Sequence, residues 1–145
     1  MRISGTNGGL GGLKAQGSAR FWIRPVTFET DLRVLVVEDE AIISMLIEDM
    51  LSDIGCKFVD VAVSVEGALG VLAEASPDFA VLDINLNGQR SFPVADILKS
   101  RAIPFVFLSG YGARGLDEAY SGAKVLQKPF QLSDLKMVLE DACGL

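Results

Sequence analysis

Glu38, Asp39, Asp83, Ser109 and Lys128 are of types that can do chemistry together, and each stands at the end of a short run that reads as a strand. Glu38 and Asp39 follow Leu32–Val37, Asp83 follows Phe79–Leu82, Ser109 follows Ile103–Leu108, and Lys128 follows Lys124–Gln127. Three carboxylates brought together repel one another, and their ionisation is costly unless a cation shares the site. A hard divalent ion that takes oxygen ligands and keeps several waters suits such a set, which points to Mg²⁺. A lysine adds a second positive charge, and a hydroxyl adds a hydrogen-bond donor. Metal, ammonium and hydroxyl around one carboxylate are what that carboxylate needs to accept a phosphoryl group. The cations neutralise the equatorial oxygens while the carboxylate attacks in line. Singly, each residue has a plainer reading. Acids cap helices, serine ends strands and lysine sits on surfaces. Asp83 alone would merely end a strand before the turn formers Asn85, Asn87 and Gly88.

The chemistry therefore depends on elements that bring these residues to one place. Leu32–Val37 is β-branched and reads as a strand. Ala41–Ile54 carries apolar residues at helical spacing, with Gly55 as a C-terminal stop. Phe58–Val63 reads as a second strand. Ser64 is placed to cap a helix over Val65–Ala75, in which Gly67 and Gly70 cost some stability. Ser76-Pro77 breaks the chain before Phe79–Leu82, a run apolar enough for a strand buried on both faces. A third helix is expected over Phe92–Arg101, with Ser91 as its cap and Pro93 in its first turn. Ile103–Leu108 is a fourth strand. Leu116–Ser121 leaves room only for a short, weak helix among glycines. Lys124–Gln127 is a fifth strand, Lys128-Pro129-Phe130 a turn, and Gln131–Ala142 a last helix. Five strand–helix alternations imply an α/β fold: one doubly wound parallel sheet with helices on both faces. Parallel strand ends face the same way, so the polar residues converge on one edge, where ligands collect in such folds.

Composition narrows the function. The chain has 145 residues, half of them hydrophobic, enough for one domain with a sizeable core and a tail. It has no histidine, which excludes a His-ligated zinc site and a His-based triad. Cys56 and Cys143 lie far apart without CxxC spacing, and read as reduced thiols, Cys56 in or near the core. No apolar run is long enough for a bilayer span, and no signal-peptide segment is evident. Residues 1–30 hold 6 of the 15 glycines and a net charge of +3, whereas residues 31–145 carry −9. The acidic body argues against nucleic acid as its main partner and suits a metal cation. Residues 1–30 read as a flexible extension, with Phe21, Trp22 and Ile23 as a small apolar cluster.

With these motifs in order, residues 32–142 resemble the receiver domains of two-component response regulators. The resemblance rests on Val-Val-Glu38-Asp39-Glu, Val-Leu-Asp83-Ile-Asn85-Leu-Asn-Gly88, Leu-Ser109-Gly and Lys128-Pro129-Phe130. It implies a flavodoxin-like strand order 2-1-3-4-5 over residues 31–145. It implies Asp83 as phosphoacceptor, Asp39 as a direct Mg²⁺ ligand, Glu38 acting on the metal largely through water, and the Asn85 backbone carbonyl completing the protein ligands. Ser109 would be the switch hydroxyl and Lys128 the amine that contacts the phosphoryl group. The run Pro104-Phe-Val-Phe-Leu-Ser109-Gly-Tyr111-Gly112 is similar to the subfamily motif Pro-Phe-x-Phe-Ala-Thr-Gly-Tyr-Gly, with Leu108 and Ser109 replacing Ala and Thr. Many members of that subfamily are stand-alone receivers. One departure stands out. Receivers place an aromatic switch three positions before the lysine, and this chain has Val125. Tyr111 is a candidate to take over part of that role, or a surface aromatic in a glycine-rich loop.

The resemblance implies a cytoplasmic single-domain signalling module. A sensor histidine kinase or phosphotransfer protein would phosphorylate it. Its output would run through an unidentified protein partner, or by draining phosphate. It would be no enzyme beyond its own phosphotransfer and dephosphorylation, and it leaves a homodimer open. A Mg²⁺-dependent phosphatase or phosphomutase with an Asp nucleophile is the alternative. Enzymes of that haloacid-dehalogenase-like kind place their acids after the first strand and usually carry a cap domain. A degenerate receiver that only binds partners is disfavoured by the intact Asp83, Asp39, Ser109 and Lys128.

Overall fold

The structure, a computed structural model, describes residues 30–110, 116 and 118–144. In chain order its elements are β1 (Thr30–Val37), α1 (Ala41–Ile54), β2 (Cys56–Ala62), α2 (Val65–Glu74), β3 (Phe79–Asp83), β4 (Asn85–Leu86), β5 (Gln89–Arg90), α3 (Phe92–Ser100), β6 (Phe105–Ser109), a 3-10 turn (Glu118–Tyr120), β7 (Val125–Gln127) and α4 (Leu132–Cys143). The main sheet is parallel and runs β2-β1-β3-β6-β7. With the hairpin strands β4 and β5 set aside, this is the expected 2-1-3-4-5 order.

Alternation along the strands divides the core in two, because successive side chains point to opposite faces. From β1, Leu35 and Val37 join α2 and α3 in one layer. Val34 and Val36 join α1 and α4 in the other. All five residues of β3 are buried, so the central strand is covered on both faces. The same burial holds Cys56 as a free thiol in the second layer, with Cys143 packed against it.

Local signals explain most boundaries. Gly55 ends α1 at φ 113°, and its amide donates back to the Leu51 and Ser52 carbonyls. Ser64 Oγ accepts from the Gly67 amide at 2.9 Å and caps α2. Ser91 corrects the corresponding expectation for α3. It precedes the helix, but its hydroxyl caps nothing and is buried without a hydrogen-bond partner. Its backbone (φ −83°, ψ 8°) is already near-helical, which turns Oγ away from the amides an extended N-cap would meet. The short helix expected over Leu116–Ser121 is, among the described residues, only the 3-10 turn Glu118–Tyr120. Tyr120 anchors that turn. Its ring stacks on Phe92 at 5.3 Å and meets Phe107 edge-on at 5.6 Å, and its hydroxyl bonds to Asp96. Val125 packs against this same layer, in which Tyr120 and Phe107 are both buried. Tyr111, Gly112 and the N-terminal extension lie outside the described residues.

Candidate functional site

The carboxyl edge of the sheet collects the chemistry. Glu38 and Asp39 follow β1, Asp83 ends β3, Ser109 ends β6, and Lys128 follows β7. The Ser109 carbonyl accepts from the Lys128 amide at 2.8 Å, which holds Lys128 at the height of the β6 terminus. From there its ammonium reaches inward. Lys128 Nζ lies 3.0 Å from Asp83 Oδ2 and 3.2 Å from Glu38 Oε1. The Lys128–Pro129 peptide bond is cis.

The three acids occupy different surroundings. Glu38 is fully buried, and its Oε2 accepts from the Glu40 amide at 3.2 Å. Asp83 and Ser109 are buried, and Asp39 is half-buried. Each acid offers one oxygen, and these three oxygens lie within 4.8 Å of one another. Burial pushes the Glu38 carboxyl up to about 7. The Asp83 carboxylate pushes it the same way, against the opposing pull of the Glu40 amide and the Lys128 ammonium. For Lys128 burial favours the neutral amine, but the hydrogen bonds and charges of Asp83 and Glu38 outweigh it and hold the ammonium above its ordinary range.

A small hairpin, unforeseen in the sequence, supports Asp39. β4 and β5 pair antiparallel across Asn87 and Gly88, which both take positive φ, 53° and 84°. That is the conformation a two-residue type I′ turn demands, and Asn-Gly is its strongest signal. The turn aims the Asn87 amide at Asp39 Oδ2, 3.1 Å away. Asn85 opens β4 two residues beyond Asp83 and is exposed. Thus Glu38, Asp39, Asp83, Ser109 and Lys128 share one edge as expected, with Asn85 beside it.

The arrangement is an acidic cluster with one internal ammonium and a hydroxyl-bearing strand end. The chain matches the family model described as the response regulator receiver domain over residues 34–140. The chain belongs to this family. Among curated proteins, the transcriptional regulatory protein PdtaR of Mycobacterium tuberculosis is 32% identical over 112 residues, which cover 74% of this chain and 55% of that protein. The chain thus spans about half the length of that relative. Among solved structures, SdrG from Sphingomonas melonis is 37% identical, with a TM-score of 0.69 over 79% of this chain and 97% of that one. The receiver domain of PhyR from Erythrobacter litoralis is 28% identical, with a TM-score of 0.70 over 79% and 92%. The receiver fold of this chain and its membership of two-component signalling follow from these matches. Among the described residues, no helix is long and apolar enough to cross a membrane.

Proposed function

We propose that this receiver accepts a phosphoryl group on Asp83 from the phosphohistidine of a sensor histidine kinase or a phosphotransfer protein. The observation that carries the reading is the Lys128 ammonium set between Asp83 and Glu38, inside a three-carboxylate cluster at the sheet edge. The Asp83 carboxylate oxygen forms a bond to phosphorus as the P–N bond of the phosphohistidine breaks. The electron pair stays on the imidazole nitrogen, which takes up a proton. Lys128 stays charged and can follow the phosphoryl oxygens as the Asp83 charge is spread onto them. Ser109 supplies a hydroxyl from the next strand end.

The donor set suits a hard cation: among the described residues, three carboxylates with oxygens within 4.8 Å and one ammonium leave uncompensated negative charge. Asp39 and Asp83 would hold Mg²⁺ directly, with the Asn85 carbonyl, and Glu38 would act largely through water. Bound there, Mg²⁺ supplies positive charge to the transferring phosphoryl group. Output would pass to a cytoplasmic protein partner or drain phosphate from a kinase.

The test is phosphorylation by acetyl phosphate with Mg²⁺ and by a phosphohistidine protein, read by intact mass. One phosphoryl group is expected on the wild type and none on Asp83→Asn, whose amide is not a nucleophile. Full labelling of that variant would overturn the assignment.

A further inference from the structure

We propose that Ser91 senses the state of Asp83: its buried hydroxyl lacks a hydrogen-bond partner in the unloaded protein and gains one when Asp83 carries a phosphoryl group. Ser91 is fully buried, and its Oγ is the buried side-chain oxygen left without a partner among the described residues. Such orphans are rare in folded proteins, because a hydroxyl stripped of water and given no partner keeps its desolvation cost. Alanine would fill nearly the same space without that cost.

The orphan stands one bond away from the site. The Ser91 amide donates to the Ile84 carbonyl at 3.0 Å, and Ile84 directly follows Asp83. On its other side the Ile84 amide donates to the Leu108 carbonyl at 3.2 Å, one residue before Ser109. Ile84 is thus held between Ser91 and the end of β6. Every group proposed to respond to loading borders it. Asp83 precedes it, Asn85 with its proposed metal-binding carbonyl follows it, and Ser109 follows the Leu108 that bonds it. Drawing Asn85 toward a cation and Ser109 toward phosphoryl oxygens moves both anchors of Ile84. Its carbonyl has a second lone pair beside the one that accepts from the Ser91 amide. A small shift of residues 83–85 turns that lone pair toward Oγ.

The orphan also sets the sign. Unloaded, the hydroxyl destabilises the fold; loaded, it contributes a hydrogen bond. The difference favours the loaded state, as any group must that is better satisfied in one of two states. From Ser91 the shift has a short way to the surface. Phe92 follows it and stacks on the Tyr120 ring with centroids 5.3 Å apart. Tyr120 closes the 3-10 turn Glu118–Tyr120, and its carbonyl accepts from the Ala123 amide at 2.9 Å.

The inference rests on the proposed loading of Asp83, for which beryllofluoride with Mg²⁺ is the phosphoryl mimic. Urea denaturation and beryllofluoride affinity are measured on the wild type and Ser91→Ala. Without the mimic Ser91→Ala should be the more stable protein. With the mimic saturating, the order should reverse, and the variant should bind it about tenfold more weakly. Hydrogen exchange at the Ala123 amide should change on loading in the wild type and much less in Ser91→Ala. A variant more stable by the same margin in both states, with wild-type affinity, shows the hydroxyl unpaired throughout and overturns the proposal. A variant less stable in both states shows the hydroxyl already satisfied at rest, by a buried water, and overturns it equally. If beryllofluoride binds Asp83→Asn as well as the wild type, or binds neither, the phosphotransfer reading falls and this inference with it. If it binds through Asp83 but does not distinguish Ser91→Ala, only this inference falls.

Discussion

Lys128 and Asp83 are joined by a 3.0 Å contact between ammonium and carboxylate, although 45 residues separate them in sequence. The same ammonium holds buried Glu38 at 3.2 Å, so one cation serves two acids. Lys128→Met keeps much of the side-chain volume and removes the charge. It should destabilise the metal-free protein at pH 8 by roughly 2–4 kcal/mol, because a buried carboxylate is left uncompensated. The loss should shrink at pH 5.5, where Glu38 takes up a proton. Mg²⁺ should bind the variant more tightly than the wild type, since a competing positive charge is gone. Urea denaturation with and without Mg²⁺ at the two pH values measures all three.

Glu38 should impose its own pH dependence. Burial raises its folded-state pKa to about 7 from the ordinary 4.5, so the folded protein binds more protons than the unfolded chain between these values. Stability from this group is therefore fully present below about 4.5 and lost as pH rises through 7. The span is on the order of 3 kcal/mol. Glu38→Gln mimics the protonated acid. In EDTA it should match the wild type near pH 5 and exceed it in stability at pH 8. A variant less stable than the wild type at pH 8 would show that ionised Glu38 is well compensated, contrary to this account.

The metal prediction separates the two neighbouring acids. Among the described residues, half-buried Asp39 is bonded by the Asn87 amide alone, whereas Glu38 is buried and engaged by Lys128 and Glu40. Asp39→Ala should weaken Mg²⁺ binding sharply and Glu38→Ala less. Mg²⁺ should also raise the melting temperature of the wild type, since it binds the folded state and relieves repulsion. Titration calorimetry checks the ranking. Equal losses would contradict a direct role for Asp39.

The sheet and most of the site were legible because the signals are local. Apolar runs ending in polar residues fix the strands, and parallel strands put Glu38, Asp83, Ser109 and Lys128 on one edge without any knowledge of packing. Ser64 and Gly55 act as their types suggest. What escaped the reading depends on backbone angles and on distant contacts. Ser91 has the right type at the right place, yet its φ and ψ forbid the cap. The Asn87 amide meets Asp39 across 48 residues, and no side-chain pattern encodes an amide's direction. Asn87-Gly88 forms the turn its residue types suggest, and what the types leave open is that two positive φ values make that turn the tip of a hairpin. Tyr120 carried no motif, and its place among Phe92, Phe105 and Phe107 comes from the packing of α3 against β6.

The hairpin yields the last prediction. Gly88 holds φ +84° with open space around its missing Cβ, so a substitution there meets backbone strain and no steric clash. A β-branched residue resists the left-handed region most, at a cost of about 1–2 kcal/mol. Gly88→Val should therefore destabilise the protein by about that amount or open the β4–β5 turn locally. Either way the Asn87 amide loses its aim at Asp39 Oδ2, and Mg²⁺ affinity should fall although no proposed ligand has changed. Gly88→Asn, which tolerates positive φ, should keep both stability and affinity close to wild type. Calorimetry with Mg²⁺ on the two variants, alongside urea denaturation, makes the comparison. If Gly88→Val binds Mg²⁺ like the wild type while losing stability, the hairpin serves folding only and Asp39 needs no help from Asn87.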